Sequence, residues 1–376
     1  MRKFTLIFAS LLAFVGVAKA QNVSEELYKT TPGVEVKASE TEGAQYVYYL
    51  RNSKYSSFLT FNGALGNMTT DVASAQKYTI VASTNGYTIH WANADGTTSN
   101  TKVQAGGPPK IWATENNASG SYDFTFEKVG TAEDAAYLLK AVNKSGRDLK
   151  APSASDASGS GYYGTASASN TEYVWQFIPA NDAAKEAAGW PKVKMLAGDA
   201  THGNLTTFSS TKPVVCPDDY QVFTATYADN TLSLEEVADR VIPANTGVIV
   251  KGAEGSFFMV PNATENTLTS ALIATGAEGK TVAEDETIFG LGLQDATLGF
   301  YKVKESTTIG AGKAYFQATG SEGSAISLSF GGATTGIHAA TIAAESNAPV
   351  FDLSGRRVQK AVKGGIYIQN GKKFVK

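Results

Sequence analysis

From Gln45 to Pro179 short strand-like runs of apolar and polar residues recur between clusters of turn-forming residues. Three runs open a unit: Tyr46-Val47-Tyr48-Tyr49-Leu50, Tyr87-Thr88-Ile89-His90-Trp91 and Tyr137-Leu138-Leu139-Lys140-Ala141. Three close one: Tyr78-Thr79-Ile80-Val81, Tyr122-Asp123-Phe124-Thr125-Phe126 and Tyr173-Val174-Trp175-Gln176-Phe177-Ile178. The closing runs alternate as half-buried strands do. The openings are spaced by roughly 40 to 50 residues, a range typical of repeat architectures. Asn93-Ala94-Asp95-Gly96, Gly106-Gly107-Pro108-Pro109, Asn116-Asn117 and Ser158-Gly159-Ser160-Gly161 carry turn chemistry and read as loops. The pattern predicts three units of about four strands each, closing into a threefold barrel. A generic β-sandwich is the alternative.

Asn181–Gly189 is Ala-rich and charged, and predicts a linker or a helical turn or two ended by Gly189 and Pro191. A second strand-rich region follows. Its runs include Val222–Thr226, Gly247–Val250, Ser256–Val260 and Ile326–Phe330. Ile242–Val250 aligns with Ile309–Gln317, which predicts a repeated loop-to-strand device. Gly331–Asn347 carries no strand pattern and reads as a flexible tether. In the tail, Val350–Leu353 and Ile366–Gln369 read as strands. Asn370-Gly371 is a strong hairpin signal, because a type I′ turn needs φ > 0 at both central positions. At the other end, Gln21–Glu42 is a polar lead-in in which Ser24-Glu25-Glu26-Leu27 predicts a capped helical turn.

Three stretches resemble known families. The closing strand Trp175-Gln176-Phe177, with Tyr78 and Phe124 as counterparts, resembles the ricin-type β-trefoil. Arg240–Gly252 is similar to a stretch found in a β-sandwich module of secreted multidomain Bacteroidota proteins. Phe351–Val358, Gly365–Ile368 and Asn370–Lys373 together resemble C-terminal sorting signals of type IX secretion cargo. The expected chain is all-β: an N-terminal β-trefoil (21–184), a β-sandwich (190–332), a linker (333–349) and a short C-terminal β-hairpin tail (350–376). Residues 1–20 are expected to be a signal peptide, from basic Arg2-Lys3, apolar Phe4–Val17 and the Ala18-Lys19-Ala20 cleavage pattern. The apolar run is short for a transmembrane span, and no other long apolar stretch occurs. The expected location is secreted or on the outer face of the outer membrane.

Charge narrows the partners. The net charge is −3, but the tail from Phe351 carries seven basic residues against Asp352 alone, so the body is the more acidic part. An acidic body repels phosphate backbones, which argues against nucleic acid. The basic tail reads as an element recognised by export or sorting machinery, with a nucleic-acid or lipopolysaccharide patch as the alternative. Cys216 is the only cysteine, so no internal disulfide forms and each core must hold itself together.

Signals for catalysis are weak. His90, His202 and His338 lack metal-ligand spacing. Cys216 in Val214-Val215-Cys216-Pro217 reads as a buried small residue. Asp218-Asp219 and Glu284-Asp285-Glu286 read as solvated loops rather than a glycosidase pair. We expect no enzyme, no metal and no cofactor. Aromatics in polar loops point instead to sugars, whose C–H faces stack on rings and whose hydroxyls pair with amides and carboxylates. The candidates are Trp91, Asn93, Asp95, Trp112 and Asn116 in the second repeat, and Asp156, Tyr162 and Tyr163 in the third. The ricin-type resemblance implies one Asp, one aromatic and one amide per sugar site. The same aromatics also read as core or barrel-lid residues. The expected partner is a glycan, or alternatively a surface protein held by a non-catalytic adhesive module.

Overall fold

A computed structural model describes residues 25–39, 45–106, 110–115, 122–142, 144, 146–151, 163–262, 264, 266–320, 323–330, 350–352, 356–358, 366–369 and 372–375. The expected signal peptide and linker lie outside the described residues. The chain divides into two compact units, Met1–Ser329 and Phe330–Lys376. The first unit contains two β-rich lobes.

The first lobe holds three four-strand repeats. These are β1 (Val47–Asn52), β2 (Ser57–Asn62), β3 (Leu65–Thr69) and β4 (Lys77–Ser83); β5 (Gly86–Ala92), β6 (Thr98–Gly106), β7 (Lys110–Thr114) and β8 (Asp123–Lys128); and β9 (Tyr137–Ala141), β10 (Asp148–Leu149), β11 (Tyr163–Gly164) and β12 (Val174–Pro179). The strands β1, β4, β5, β8, β9 and β12 pair in that order, and β12 pairs back onto β1, which closes a barrel. In each repeat the middle two strands pair as β2–β3, β6–β7 or β10–β11.

The register repeats three times. Tyr48 faces Tyr78, Tyr87 faces Phe124, and Tyr137 faces Trp175. Between repeats, Leu50 faces Phe177, Ile89 faces Ile80, and Leu139 faces Phe126. Strand side chains alternate with period two, so these twelve residues share the inward face. All twelve belong to one core cluster, with Tyr87 and Phe126 partly buried at its margin. The barrel therefore excludes water with a threefold set of large side chains, and this burial is its main stabilising term.

The lead-in is less polar in its role than its composition suggests. After α1 (Glu25–Thr30), the segment runs along the barrel and packs Val34 and Val36 on the core. Val34 N–H donates to Phe177 O at 3.0 Å, and Lys37 N–H to Tyr48 Oη at 3.0 Å. α2 (Asp182–Ala187) follows the barrel. Asn181 caps it by accepting from Ala184 N–H, and Gly189 lies just past its end at φ +70°.

The second lobe contains β13 (Lys192–Lys194), β14 (Leu205–Phe208), β15 (Val214–Val215), β16 (Gln221–Ala228), β17 (Thr231–Glu236), β18 (Val241–Ile242), β19 (Val248–Lys251), β20 (Ser256–Phe258) and β21 (Val260–Pro261). It continues with β22 (Ile273–Ala274), β23 (Lys280–Thr281), β24 (Ile288–Gln294), β25 (Thr297–Lys302), β26 (Thr308–Ile309), β27 (Ala314–Gln317) and β28 (Ala325–Phe330). Its large sheet has the order β14-β19-β16-β17-β28-β25-β24-β27-β22. That order is a palindrome about β28. Small sheets, β18-β15-β21 and β23-β26, accompany the two halves.

The alignment of Ile242–Val250 with Ile309–Gln317 is therefore part of a longer duplication. Val222 faces Val250 in the first half, as Ile288 faces Gln317 in the second. Val237 N–H donates to Val222 O at 2.8 Å, and its counterpart Val303 N–H donates to Ile288 O at 2.8 Å. Positive φ recurs at matching places: Asp229 and Asn230 with Asp295 and Ala296, Arg240 with Ser306, and Asn245 with Gly312. The two hairpin turns have positive φ at both central residues, the type I′ pattern that suits strand twist.

The two lobes share a core. Tyr49, Phe58 and Ile178 of the first lobe pack with Trp190, Phe258 and Val260. In the second unit, β29 (Val350–Asp352), β30 (Arg357–Val358), β31 (Ile366–Gln369) and β32 (Lys372–Val375) form a four-stranded sheet ordered β30-β29-β31-β32. Gln369 faces Lys372, as a two-residue connection at Asn370-Gly371 requires. The tail is thus more than a hairpin, because Val350–Asp352 also pairs with β31.

Candidate functional site

The barrel register puts one basic residue of each repeat on the outer face: Arg51 opposite Gln176, His90 opposite Thr79, and Lys140 opposite Thr125. The three sites differ in cover. Lys140 forms an ion pair with Glu127 at the surface. His90 is buried, with Nδ1 2.7 Å from Ser99 O and Nε2 2.9 Å from Thr88 Oγ1, and burial lowers its pKa. Arg51 sits beneath α1 and beside a recess.

The recess has a volume of about 460 Å³ and lies at the seam between the first and third repeats. Its floor is a hydrogen-bonded chain. Arg51 donates from Nε at 3.1 Å and Nη2 at 2.7 Å to Gln176 Oε1, and from Nη1 to Tyr28 O at 2.7 Å. Gln176 Nε2 donates to Asp134 Oδ1 at 2.6 Å, which also accepts from Gly33 N–H at 2.7 Å. Burial lowers the Arg51 pKa to about 10, partly offset by the charge of Asp134. The guanidinium is thus held by neutral acceptors, with a carboxylate one step away.

The walls are hydroxyl-rich: Ser53, Ser56, Thr131 and Thr171 line the recess. Ser53 Oγ is buried and has no hydrogen-bond partner among the described residues. A buried polar group without a partner costs free energy, so such an atom calls for an explanation.

Of the predicted sugar-contact residues, Trp91, Asn93, Asp95, Trp112 and Tyr163 do not line this recess. Asn93 Nδ2 donates to Thr97 Oγ1 at 2.9 Å. Asp95 accepts from Thr97 N–H and Oγ1 at 3.0 and 2.6 Å, bonds that lower its pKa. Both side chains shape the turn between β5 and β6. Trp91 is half-buried on the core cluster, with its ring 5.3 Å from Phe61, and its Nε1 is buried without a partner among the described residues. Trp112 lies on β7 opposite Gln104 and Leu65. Tyr163 pairs through its backbone with Leu149. Asn116, Asp156 and Tyr162 lie outside the described residues.

The remaining chemical candidates are held by the fold. The Cys216 thiol is buried, and desolvation raises its pKa well above the ordinary range. Asp199 accepts from His202 Nδ1 at 2.7 Å and from Leu298 N–H at 2.7 Å, which ties the 196–204 loop to β25.

No protein-family model and no curated protein matches the chain. Among solved structures, one described as "Structure and mode of action of a mosquitocidal holotoxin" is similar at 11% identity and a TM-score of 0.31. The match covers 76% of this chain and 34% of that one, so the chain spans about a third of that structure's length.

Proposed function

We propose that this is an exported, surface-associated binding protein whose first lobe is a β-trefoil that holds a glycan in the recess beside Arg51. The trefoil reading is supported by the threefold register and by a paired middle hairpin in every repeat. The observation that carries the ligand reading is a recess whose wall gathers Ser53, Ser56, Thr131 and Thr171 beside the Arg51–Gln176–Asp134 chain. Sugars supply many donors and acceptors at close spacing, which suits such a wall. The described wall lacks an aromatic ring, so recognition here proceeds through hydrogen bonds rather than stacking.

Export is supported by the basic, apolar and small-residue order of residues 1–20 and by the sorting-like tail. No helix among the described residues is long and apolar enough to cross a membrane. The ligand reading is tested by a glycan array probed with the full mature chain, followed by titration of a Ser53→Ala variant. Capture of a protein partner together with silence on the array would favour the adhesive alternative.

A further inference from the structure

A second cavity, of about 360 Å³, opens in the second lobe between β14, β24, β25 and the start of β27. Its walls include Leu291, Val303 and Ile309, and one cation, Lys313, reaches into it. Lys313 Nζ donates to Thr206 Oγ1 at 3.0 Å and has no carboxylate partner among the described residues. Burial alone pushes its pKa down. An unpaired, partly buried ammonium beside apolar walls is costly until an anion joins it.

The duplication shows how this cavity arose. In the first half the strand positions matching Gly290 and Gly292 are Thr224 and Thr226, and the position matching Lys313 is Thr246. The second half has lost two side chains from the strand face and gained a cation. Neither glycine is forced by backbone geometry. A Cβ on Gly292 would meet Tyr301 Cδ2 at 3.4 Å, an ordinary contact, whereas one on Gly290 would press on Val303 Cγ2 at 3.2 Å; neither φ is in the left-handed region. A glycine within a strand that could hold a side chain marks a place where something else approaches.

Exposed apolar surface points the same way. Three large hydrophobic side chains stand exposed among the described residues, and two of them, Leu196 (40%) and Leu293 (45%), line this cavity. The Leu196 wall is fixed in place, because Asp199 anchors its loop to Leu298.

We propose that this cavity binds an amphipathic monocarboxylate, with its carboxylate on Lys313 and its carbon chain along Leu196, Val303 and Ile309 on the face that Gly290 and Gly292 leave open. Aliphatic burial there supplies affinity, and the ammonium supplies selection for the acid over an alcohol. The site is separate from the recess beside Arg51 and does not depend on the glycan reading.

The test is calorimetric titration of the full mature chain with octanoate and with octanol. Octanoate is expected to bind about tenfold more tightly, the worth of one charge-assisted hydrogen bond. Lys313→Met is expected to erase that preference. Gly292→Thr, which restores the first half's residue, is expected to weaken both ligands about tenfold by filling the trough. Thermal melting confirms that each variant is folded. Equal affinity for acid and alcohol, an unchanged preference in Lys313→Met, unchanged binding in Gly292→Thr, or no binding of octanoate by about 10 mM would each overturn the proposal.

Discussion

Gln176 accepts two hydrogen bonds from Arg51 on one oxygen, at 3.1 and 2.7 Å, and donates onward to Asp134. These three residues come from β1, β12 and the segment before β9, so the barrel's closure is what brings them together. Gln176→Leu removes the acceptor and leaves a buried guanidinium half-satisfied. The expected cost is about 3 kcal/mol in chemical denaturation. The double variant Arg51→Leu with Gln176→Leu should recover much of it, because the charge goes too. A single-variant cost under about 1 kcal/mol would mean that water already solvates Arg51.

Gly247 and Ala314 occupy matching positions of the duplicated halves and touch. A Cβ on Gly247 would come within 2.8 Å of the Ala314 Cβ and 2.7 Å of Leu272 O. Gly247→Ala is therefore expected to destabilise by about 1–3 kcal/mol through overpacking, seen as a lowered Tm. An unchanged Tm would show that the two halves have slack at their contact.

Glu172 gathers three partners: Lys54 Nζ at 2.7 Å, Tyr55 Oη at 2.9 Å and Lys150 Nζ at 3.1 Å. The Lys54 bond leads in lowering its pKa to about 2. A carboxylate whose folded pKa lies below its unfolded value contributes stability above the unfolded value, near 4.3, and loses it as pH falls toward the folded one. The Tm advantage of wild type over Glu172→Gln should therefore be full at neutral pH and shrink between about pH 4.5 and 2. Part of the cluster faces solvent, so the advantage is on the order of 1 kcal/mol. A difference constant with pH would contradict the assignment.

The tail has its own four-stranded sheet and forms a separate compact unit. Deleting residues 350–376 is expected to leave the Tm of the remaining chain within about 2 °C while stopping delivery to the cell surface. Cell fractionation of the truncated protein checks this. Surface delivery in full amount would remove the tail as an address.

The closing strands of the barrel were legible from their apolar–polar alternation, as in Tyr78-Thr79-Ile80 and Trp175-Gln176-Phe177, although Thr79 and Gln176 prove to be buried as well. The duplication was visible only from Ile242 to Val250 and its match. Elsewhere the halves keep backbone geometry and change residues. Positive φ is held by Arg240 in one half and Ser306 in the other, and by Asn245 and Gly312. The recess left no local signal. Arg51 and Gln176 stand 125 positions apart, and only their pairing across closed β1 and β12 makes them neighbours. Asn93 and Asp95 match a sugar site by residue type, but such side chains also satisfy turn backbones, and here they bond to Thr97.

The most direct test of the central claim is glycan binding by the full mature chain, compared with Ser53→Ala and Asp134→Asn. Ser53 Oγ has no partner among the described residues, so its removal should leave the unliganded Tm unchanged or slightly raised. The expected result is binding to a defined glycan class, weakened about five- to tenfold by Ser53→Ala at unchanged stability. Silence across the array with a folded sample, or glycan binding indifferent to both substitutions, would contradict it.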